Sequence, residues 1–329
     1  MNPDPQSCSA LTRAVDEPLA GTAPRARAWL VLEQSGPFGF DALTHSHLPA
    51  EVRLSIAAAG KATGTNVILA RSLGHHADTH TSPTSRRFWF AHTSPGGVRM
   101  RTGIVDDAEL TRSDLGALLT AAASGQLPPW GKRTDEPLML ICTNSKRDVC
   151  CALAGRPLAS ALAADPETAA AVLEVSHLGG HRFAPTVLVL PHGYVYGQLD
   201  IDSARAVLEQ ARSGRIASLP NVRGRSSLAG AAQVAELAVR ASFGIHALEG
   251  LDVLRRREGR AVPIELRWDG NDDVADVEVR HNDGRAWAVH LGREALGQPR
   301  PESCGKQAVQ AFAWSAVEPV ELARWRGFP

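Results

Sequence analysis

Two cysteines and two histidines within forty residues are the part of this sequence best suited to chemistry. Cys142 and Cys151 are separated by eight residues, and His177 and His181 by the three residues Leu-Gly-Gly. Two thiolates and two imidazoles form a complete four-ligand set for zinc or for an iron–sulfur centre. We call these four residues the Cys/His set, and their types point first to a metal site.

The elements around these residues are predicted to bring them to one end of a sheet. An apolar strand, PLMLIC, ends at Cys142, and an Ala/Leu-rich helix is predicted for 151–164, where a helix N-terminus favours thiolate. A second strand, 172–176, leads directly to His177. The two adjacent glycines before His181 favour a loop over a helix.

The order of these elements occurs twice along the chain. The order β-α-β-β-β-α is predicted over residues 27–130 and again over 136–245. This order predicts an α/β fold of tandem thioredoxin-like units, with mixed sheets flanked by helices. Only the second unit has cysteines after its first strand, because the first unit has Gln34-Ser35-Gly36 there.

Residues outside the two units are predicted to form an N-terminal arm, 1–26, and a small antiparallel β extension, 260–329. The extension has turn sequences at Asp269-Gly270 and Asp283-Gly284. Within the units, one helix is predicted for 107–124, and Asp202 is predicted to cap a helix that reaches Arg212.

Composition and charge argue against several classes of function. Lys+Arg and Asp+Glu are balanced at 35 each, which gives no support to a nucleic-acid or membrane partner. No apolar run approaches the roughly 18–20 residues that span a bilayer. No secretory signal is recognised, and five cysteines, an odd number, argue against a disulfide scaffold. We therefore expect a cytoplasmic protein, and no nucleotide-binding or serine-hydrolase motif is found.

Several stretches resemble the sucrase/ferredoxin-like family. The most specific are CTNSKRDVCCALAGRPL (142–158) and VSHLGGHRFAPTVLVLPHGYVYGQLD (175–200), and CSALTRAVDEPLAGTA (8–23), NVRGRSS (221–227) and ESCG (302–305) are also similar. The resemblance implies that the second unit is a thioredoxin-like ferredoxin domain. It implies a [2Fe–2S] cluster held by the Cys/His set and electron transfer to a redox partner protein. Because an imidazole with a free N–H can lose its proton on oxidation, we expect the electron to be coupled to a proton.

Residues beside the set in the sequence are candidates for supporting roles. Cys150 competes with Cys151 for the second thiolate position, and Cys151 is preferred because its spacing from Cys142 matches the family. Pro185 occupies the position of the thioredoxin-type cis-proline. Four basic residues either dock an acidic partner and stabilise a reduced cluster, or are ordinary solvated charges; they are Lys146, Arg147, Arg156 and Arg182.

Other functions remain open at this point. The set also suits tetrahedral zinc, although eight residues exceed the usual zinc-finger spacing. Cys150 beside Cys151 would suit a redox sensor. The family name implies sucrose cleavage in a relative, but no carboxylate pair stands out among Asp148, Glu174, Asp200 and Asp202. Cys8 and Cys304 are predicted to be ordinary free thiols, and His75, His76 and His80 a polar surface turn.

Overall fold

The computed structural model describes residues 4–60, 63–74, 84–266, 268 and 273–322, so the turn with His75, His76 and His80 lies outside the described residues. The first sheet has ten strands: β1 (Ala28–Glu33), β2 (Thr65–Arg71), β3 (Ser85–His92), β4 (Arg99–Asp106), β5 (Lys132–Thr134), β6 (Leu138–Cys142), β7 (Val172–Val175), β8 (Thr186–Leu190), β9 (Tyr194–Gly197) and β10 (Val222–Arg225). Their order in the sheet is β10-β9-β8-β6-β7-β2-β1-β3-β4-β5.

Eight helices accompany the two sheets within the described residues: α1 (Cys8–Ala14), α2 (Ala42–His45), α3 (Ala50–Gly60), α4 (Asp107–Arg112), α5 (Leu115–Ala123), α6 (Val149–Ala163), α7 (Ile201–Arg212) and α8 (Gly230–Phe243). None of the helices in this part of the chain is long and apolar enough to cross a bilayer.

The two predicted units are the two halves of the first sheet. In each half, a parallel pair of strands (β1 with β2, β6 with β7) is extended by antiparallel strands on the other side of its first strand. The halves join where β2 and β7 pair antiparallel at their C-terminal ends, Ala70 with Val175 and Arg71 with Glu174. The predicted α/β fold of tandem thioredoxin-like units is confirmed. Their union in one sheet was not predicted, because local patterns do not encode which strand edges meet.

Strand β6 forms because LMLIC is apolar throughout, which suits a strand that is covered on both faces. All five residues are buried. Met139 and Ile141 pack against α6 and α7, whereas Leu140 and Cys142 pack into a core layer shared with the first unit. Coverage on both faces therefore fixes the end of β6, where Cys142 lies.

Two predictions of helix ends are wrong. The helix predicted for 107–124 is two helices, α4 and α5, because Asp106 and Asp114 each cap a new N-terminus. Ser113 between them has extended backbone, which interrupts the helix. Helix α7 is capped by Asp200, which accepts a hydrogen bond from the Ser203 N–H, and not by Asp202. Closely spaced aspartates make the capping position ambiguous in a sequence.

The second sheet is the predicted β extension: β11 (Leu251–Arg257), β12 (Arg260–Pro263), β13 (Val274–His281), β14 (Ala286–Pro301), β15 (Ala308–Ala316) and β16 (Val320–Glu321). It starts at Leu251, whereas the predicted extension starts at residue 260. The sequence did not reveal β11, because only Leu251 and Val253 of this strand are buried and three arginines follow. Its inner face packs on α8. Asp283-Gly284 turns the chain between β13 and β14, and Asp269-Gly270 lies outside the described residues.

Candidate metal centre

The Cys/His set lies at the C-terminal ends of the parallel strands β6 and β7. Cys142 is the last residue of β6, and its register partner on β7 is Val175, two residues before His177. Cys151 lies in the first turn of α6, and His181 begins a short 3₁₀ helix. Because parallel strands end at the same edge of a sheet, the two turns that carry the set are neighbours.

Glycines allow the loop between the histidines to fold back tightly. Gly179 and Gly180 both have left-handed backbone, with φ of 76° and 71°. The rings of His177 and His181 consequently come together, with centroids 4.8 Å apart and planes inclined by 31°. At Gly180 a side chain would also overlap the guanidinium of Arg223.

The cysteines meet the histidines in a buried environment. Cys151 Sγ lies 3.0 Å from His181 Nδ1, and Cys142 and Cys151 are both inaccessible to solvent. A hydrogen bond with Cys151 holds the pKa of Cys142 well below its usual value, although burial opposes the shift. The same bond raises the pKa of Cys151. These opposite directions favour the thiolate at Cys142 and the thiol at Cys151.

The imidazoles are suited to metal binding. Burial lowers the pKa of His181, which favours the neutral ring that metals require. His177 Nδ1 is buried, and within the described residues it has no hydrogen-bond partner. A buried nitrogen without a partner is costly unless a ligand takes its lone pair. Two sulfur and two nitrogen donors are ligand types that an iron–sulfur cluster and zinc both accept.

Arg223 stabilises the loop between His177 and His181, which we call the histidine loop. Its guanidinium donates to the Gly179 carbonyl (2.9 Å) and to the Thr22 hydroxyl (3.0 Å), and it stacks on Phe183. Burial lowers the pKa of Arg223 to about 9, and the neighbouring Cys142 and Cys151 oppose that shift. The sequence linked Arg223 to the site only through the NVRGRSS stretch, whereas the structure makes it a direct support of the loop.

The residues predicted to flank the centre have different surroundings. Lys146 is exposed, Arg147 stacks on Phe40 with 4.6 Å to the ring centre, and Arg156 donates to the Ser145 hydroxyl at 3.4 Å. Arg182 forms ion pairs with Glu17 and Glu302, so it fastens the N-terminal arm and the second sheet to the 3₁₀ helix. The Ala184–Pro185 peptide bond is cis.

A cleft of about 320 Å³ opens beside His177. The first unit supplies one wall with Phe40 and Ile68, and the second supplies Arg147 and the histidine loop. His177 is half-buried, whereas His181 is buried. His177 is therefore the member of the Cys/His set that connects the candidate centre to the open cleft.

A second group of potential ligands lies near α6. It consists of Cys8, Asp148, Cys150 and Cys304, whose donor atoms all lie within 4.8 Å of one another and which could hold a metal ion. We call it the Cys/Asp cluster. Cys150 belongs to it and not to the Cys/His set. Cys8 and Cys304 are free thiols, as predicted, and the fold brings their sulfurs to 3.6 Å from one another. The sequence analysis missed this cluster, because its members are up to 296 residues apart along the chain.

The fold and the donor residues define a tandem thioredoxin-like α/β protein with a candidate metal centre in its second unit. The sequence model of the Sucrase/ferredoxin-like family matches residues 19–224, well over half of the chain, and the chain belongs to this family. The match contains the whole Cys/His set but neither Cys8 nor Cys304. No curated protein and no solved structure matches the chain.

Proposed function

We propose that this chain is a one-electron carrier whose Cys/His set holds a [2Fe–2S] cluster. The observation that carries the proposal is the convergence of two buried thiols and two imidazoles at the end of β6, where His177 Nδ1 is buried without a hydrogen-bond partner within the described residues. Family membership supports the same conclusion. Five free cysteines suit a reducing compartment, and we propose the cytoplasm.

A cluster of this kind supplies a site that accepts and releases one electron. The chain's own residues determine how easily it does so. Two neutral imidazoles in place of thiolates leave the centre less negative and raise its reduction potential. Burial of Cys142 and Cys151 keeps water from the sulfurs, and the buried guanidinium of Arg223 favours the reduced, more negative state.

The cleft beside His177 is the proposed route for electrons and the docking place of a redox partner protein. His177 is the more exposed histidine of the set and lines the cleft. Exposed Phe40 and the guanidinium of Arg147 above it offer an apolar and cationic rim. Together with the exposed Lys146, this rim suits a partner with an acidic surface.

Hydrolysis is less well supported by the carboxylates near the centre. Asp148 caps α6, Asp200 caps α7, and Glu174 forms a buried ion pair with Arg71. These three side chains have structural partners, and Asp202 is exposed on the surface of α7. A glycosidase needs two carboxylates that face one substrate. We therefore propose electron transfer and not sucrose cleavage.

Metal analysis tests the proposal most directly. Protein purified without oxygen should contain about two iron and two sulfide per chain and give an EPR signal after reduction with dithionite. Serine at Cys142 should remove both the iron and the signal. A colourless protein that binds zinc at the Cys/His set instead of iron contradicts the proposal.

Redox titration of wild type and of His177→Cys tests the role of the imidazoles. A ring N–H that faces away from the centre loses its proton more easily in the oxidised state, so reduction takes up a proton and the midpoint potential falls as pH rises, by at most about 59 mV per unit. The extra thiolate of His177→Cys should lower the potential by on the order of 100 mV and weaken the pH dependence. A wild-type midpoint that is flat between about pH 6 and 9 contradicts the proton coupling.

Replacement of Arg223 by glutamine removes a buried positive charge beside the thiols. We expect the midpoint potential to fall by roughly 50–100 mV, because the reduced state loses a favourable charge. Arg225→Gln is the matched control, since Arg225 is equally buried on the same strand but bonds to the Thr93 carbonyl and to Glu249. Equal shifts in the two variants would mean that charge near the centre is not the cause.

A further inference from the structure

The three sulfurs of the Cys/Asp cluster form a compact triangle. Cys8 and Cys150 are 3.5 Å apart, Cys150 and Cys304 3.2 Å, and Cys304 and Cys8 3.6 Å. Two sulfurs that share one tetrahedral zinc at ~2.3 Å lie about 3.8 Å apart. A disulfide would need about 2.05 Å. Cysteines that bind separate irons of a cluster would lie further apart, so the triangle has the size of a site for a single ion.

We propose that the Cys/Asp cluster binds one Zn²⁺ ion, with the three thiolates and the Asp148 carboxylate as its four ligands. The cation preferred by three sulfurs and one oxygen is zinc, whereas Ca²⁺ and Mg²⁺ require oxygen ligands. Asp148 Oδ1 and Oδ2 lie 4.0 Å and 3.8 Å from Cys8 Sγ. Four protein ligands leave no open position, which makes this a structural and not a catalytic site.

The carboxylate is held in place as a metal ligand would be. The Ser303 hydroxyl donates to Asp148 Oδ2 at 2.7 Å, and the Cys304 N–H donates to the same oxygen at 2.9 Å. The Cys150 N–H donates to Oδ1 at 2.8 Å. These bonds leave one lone pair on Oδ1 for a cation and fix the orientation of the carboxylate, as partners around metal ligands commonly do.

Burial separates the cluster from ordinary surface thiols. Cys8, Cys150 and Asp148 are at most 3% exposed, and Cys304 is half-buried. Cys150 lies in the first turn of α6, where the partial positive charge of the helix N-terminus offsets part of the negative charge of the ligands. Neutral thiols are easily buried, but three thiolates beside a carboxylate are stable in this buried position only with a cation among them.

The ligands come from three distant parts of the chain. They are separated by 142, 154 and 296 residues along the sequence and belong to α1, to α6 and to the hairpin between β14 and β15. Zinc would therefore fasten the N-terminal arm and the second sheet to the first turn of α6. Cys151 of the Cys/His set lies in the same turn, but the two sites share no ligand.

The test is zinc analysis of the full-length chain, with Zn²⁺ as the only added metal. We expect the Cys/Asp cluster to bind about one zinc per chain. Cys304→Ser and Cys8→Ser should each lower zinc affinity by more than about tenfold. Co²⁺ in place of zinc should give the thiolate charge-transfer bands and intense visible bands of a tetrahedral site, and the bands of one cobalt per chain should be lost in Cys304→Ser but kept in Cys142→Ser. Asp148→Asn keeps the cap oxygen of α6 and should weaken zinc with less risk to folding.

Cys142→Ser is the matched control, because it removes a cysteine of the other site. It should leave the zinc of the Cys/Asp cluster in place even if the Cys/His set also takes zinc. Iron content is measured separately, so failure of the proposed electron carrier and failure of this inference give different results. Zinc content that is unchanged in both Cys304→Ser and Cys8→Ser would overturn the inference, as would a zinc-free wild type with a disulfide among these cysteines.

Discussion

Replacing Cys151 by serine should remove the iron from the protein, whereas replacing Cys150 by serine should leave it in place. The two residues are adjacent, yet successive residues of a helix point about 100° apart. Cys151 Sγ contacts His181 Nδ1 at 3.0 Å, while Cys150 Sγ contacts Cys304 Sγ at 3.2 Å. Iron per chain and the EPR signal of the reduced protein measure the difference, which we expect to be nearly all or none.

The comparison has its own internal control. Each variant replaces one sulfur by one oxygen at a buried position of α6, so the packing changes are closely matched. Circular dichroism verifies that both variants fold. Cys150→Ser should instead lose the zinc of the Cys/Asp cluster. Loss of iron in Cys150→Ser together with its retention in Cys151→Ser would mean that Cys150, and not Cys151, is the second thiolate ligand.

Gly155→Ala should destabilise the protein and reduce its iron content, although alanine is the better helix former. Gly155 lies on the side of α6 that touches the end of β6, where an added Cβ would lie 2.2 Å from the Cys142 carbonyl oxygen. Backbone on both sides leaves no flexible side chain to move away. Helix α6 must therefore shift from β6, which separates Cys151 from Cys142. We expect a net loss of about 1–3 kcal/mol, because overpacking outweighs the roughly 1 kcal/mol gained in helix propensity.

Gly116→Ala is the control for this variant. Gly116 lies in α5, and its added Cβ would meet the Asp114 side chain at 3.3 Å and Ala59 at 3.9 Å, so only a small shift of a side chain, and not of backbone, is needed. Thermal unfolding and iron content of the two variants should therefore differ, with Gly116→Ala close to wild type. If Gly155→Ala is as stable as Gly116→Ala and keeps its iron, neither stability nor iron binding requires the close approach of α6 to Cys142.

The first unit has no thiols after its first strand, but it contributes to the surroundings of the second. Strands β2 and β7 pair only at their C-terminal ends. The loops at the C-terminal ends of each unit's parallel strands therefore lie against the other unit. The Gly39 carbonyl accepts a hydrogen bond from the Asn144 side chain, and Arg71 joins the Gly36 carbonyl to Glu174. The loop that follows β1 therefore packs beside the turn between Cys142 and Cys151 and forms a wall of the cleft.

The sequence by itself determined the local elements and the candidates for the metal centre. Apolar runs such as PLMLIC predict strands from side-chain burial alone, and the turns with Cys142 and His177 follow directly from the ends of those strands. The glycines before His181 predict a loop for the same local reason, their left-handed backbone. Spacing did not by itself separate Cys150 from Cys151, because that choice depends on how α6 is rotated against the sheet.

Only the tertiary structure decided which residues far apart in the sequence contact one another. The pairing of β2 with β7, the position of Arg223 behind the histidine loop and the meeting of Cys8 with Cys304 all link residues far apart in the chain. Such contacts are chosen by the packing of whole faces and edges, since the free energy of burying a surface does not depend on where its residues stand in the sequence. Local patterns therefore predicted the Cys/His set, whereas the Cys/Asp cluster became visible only in the folded chain.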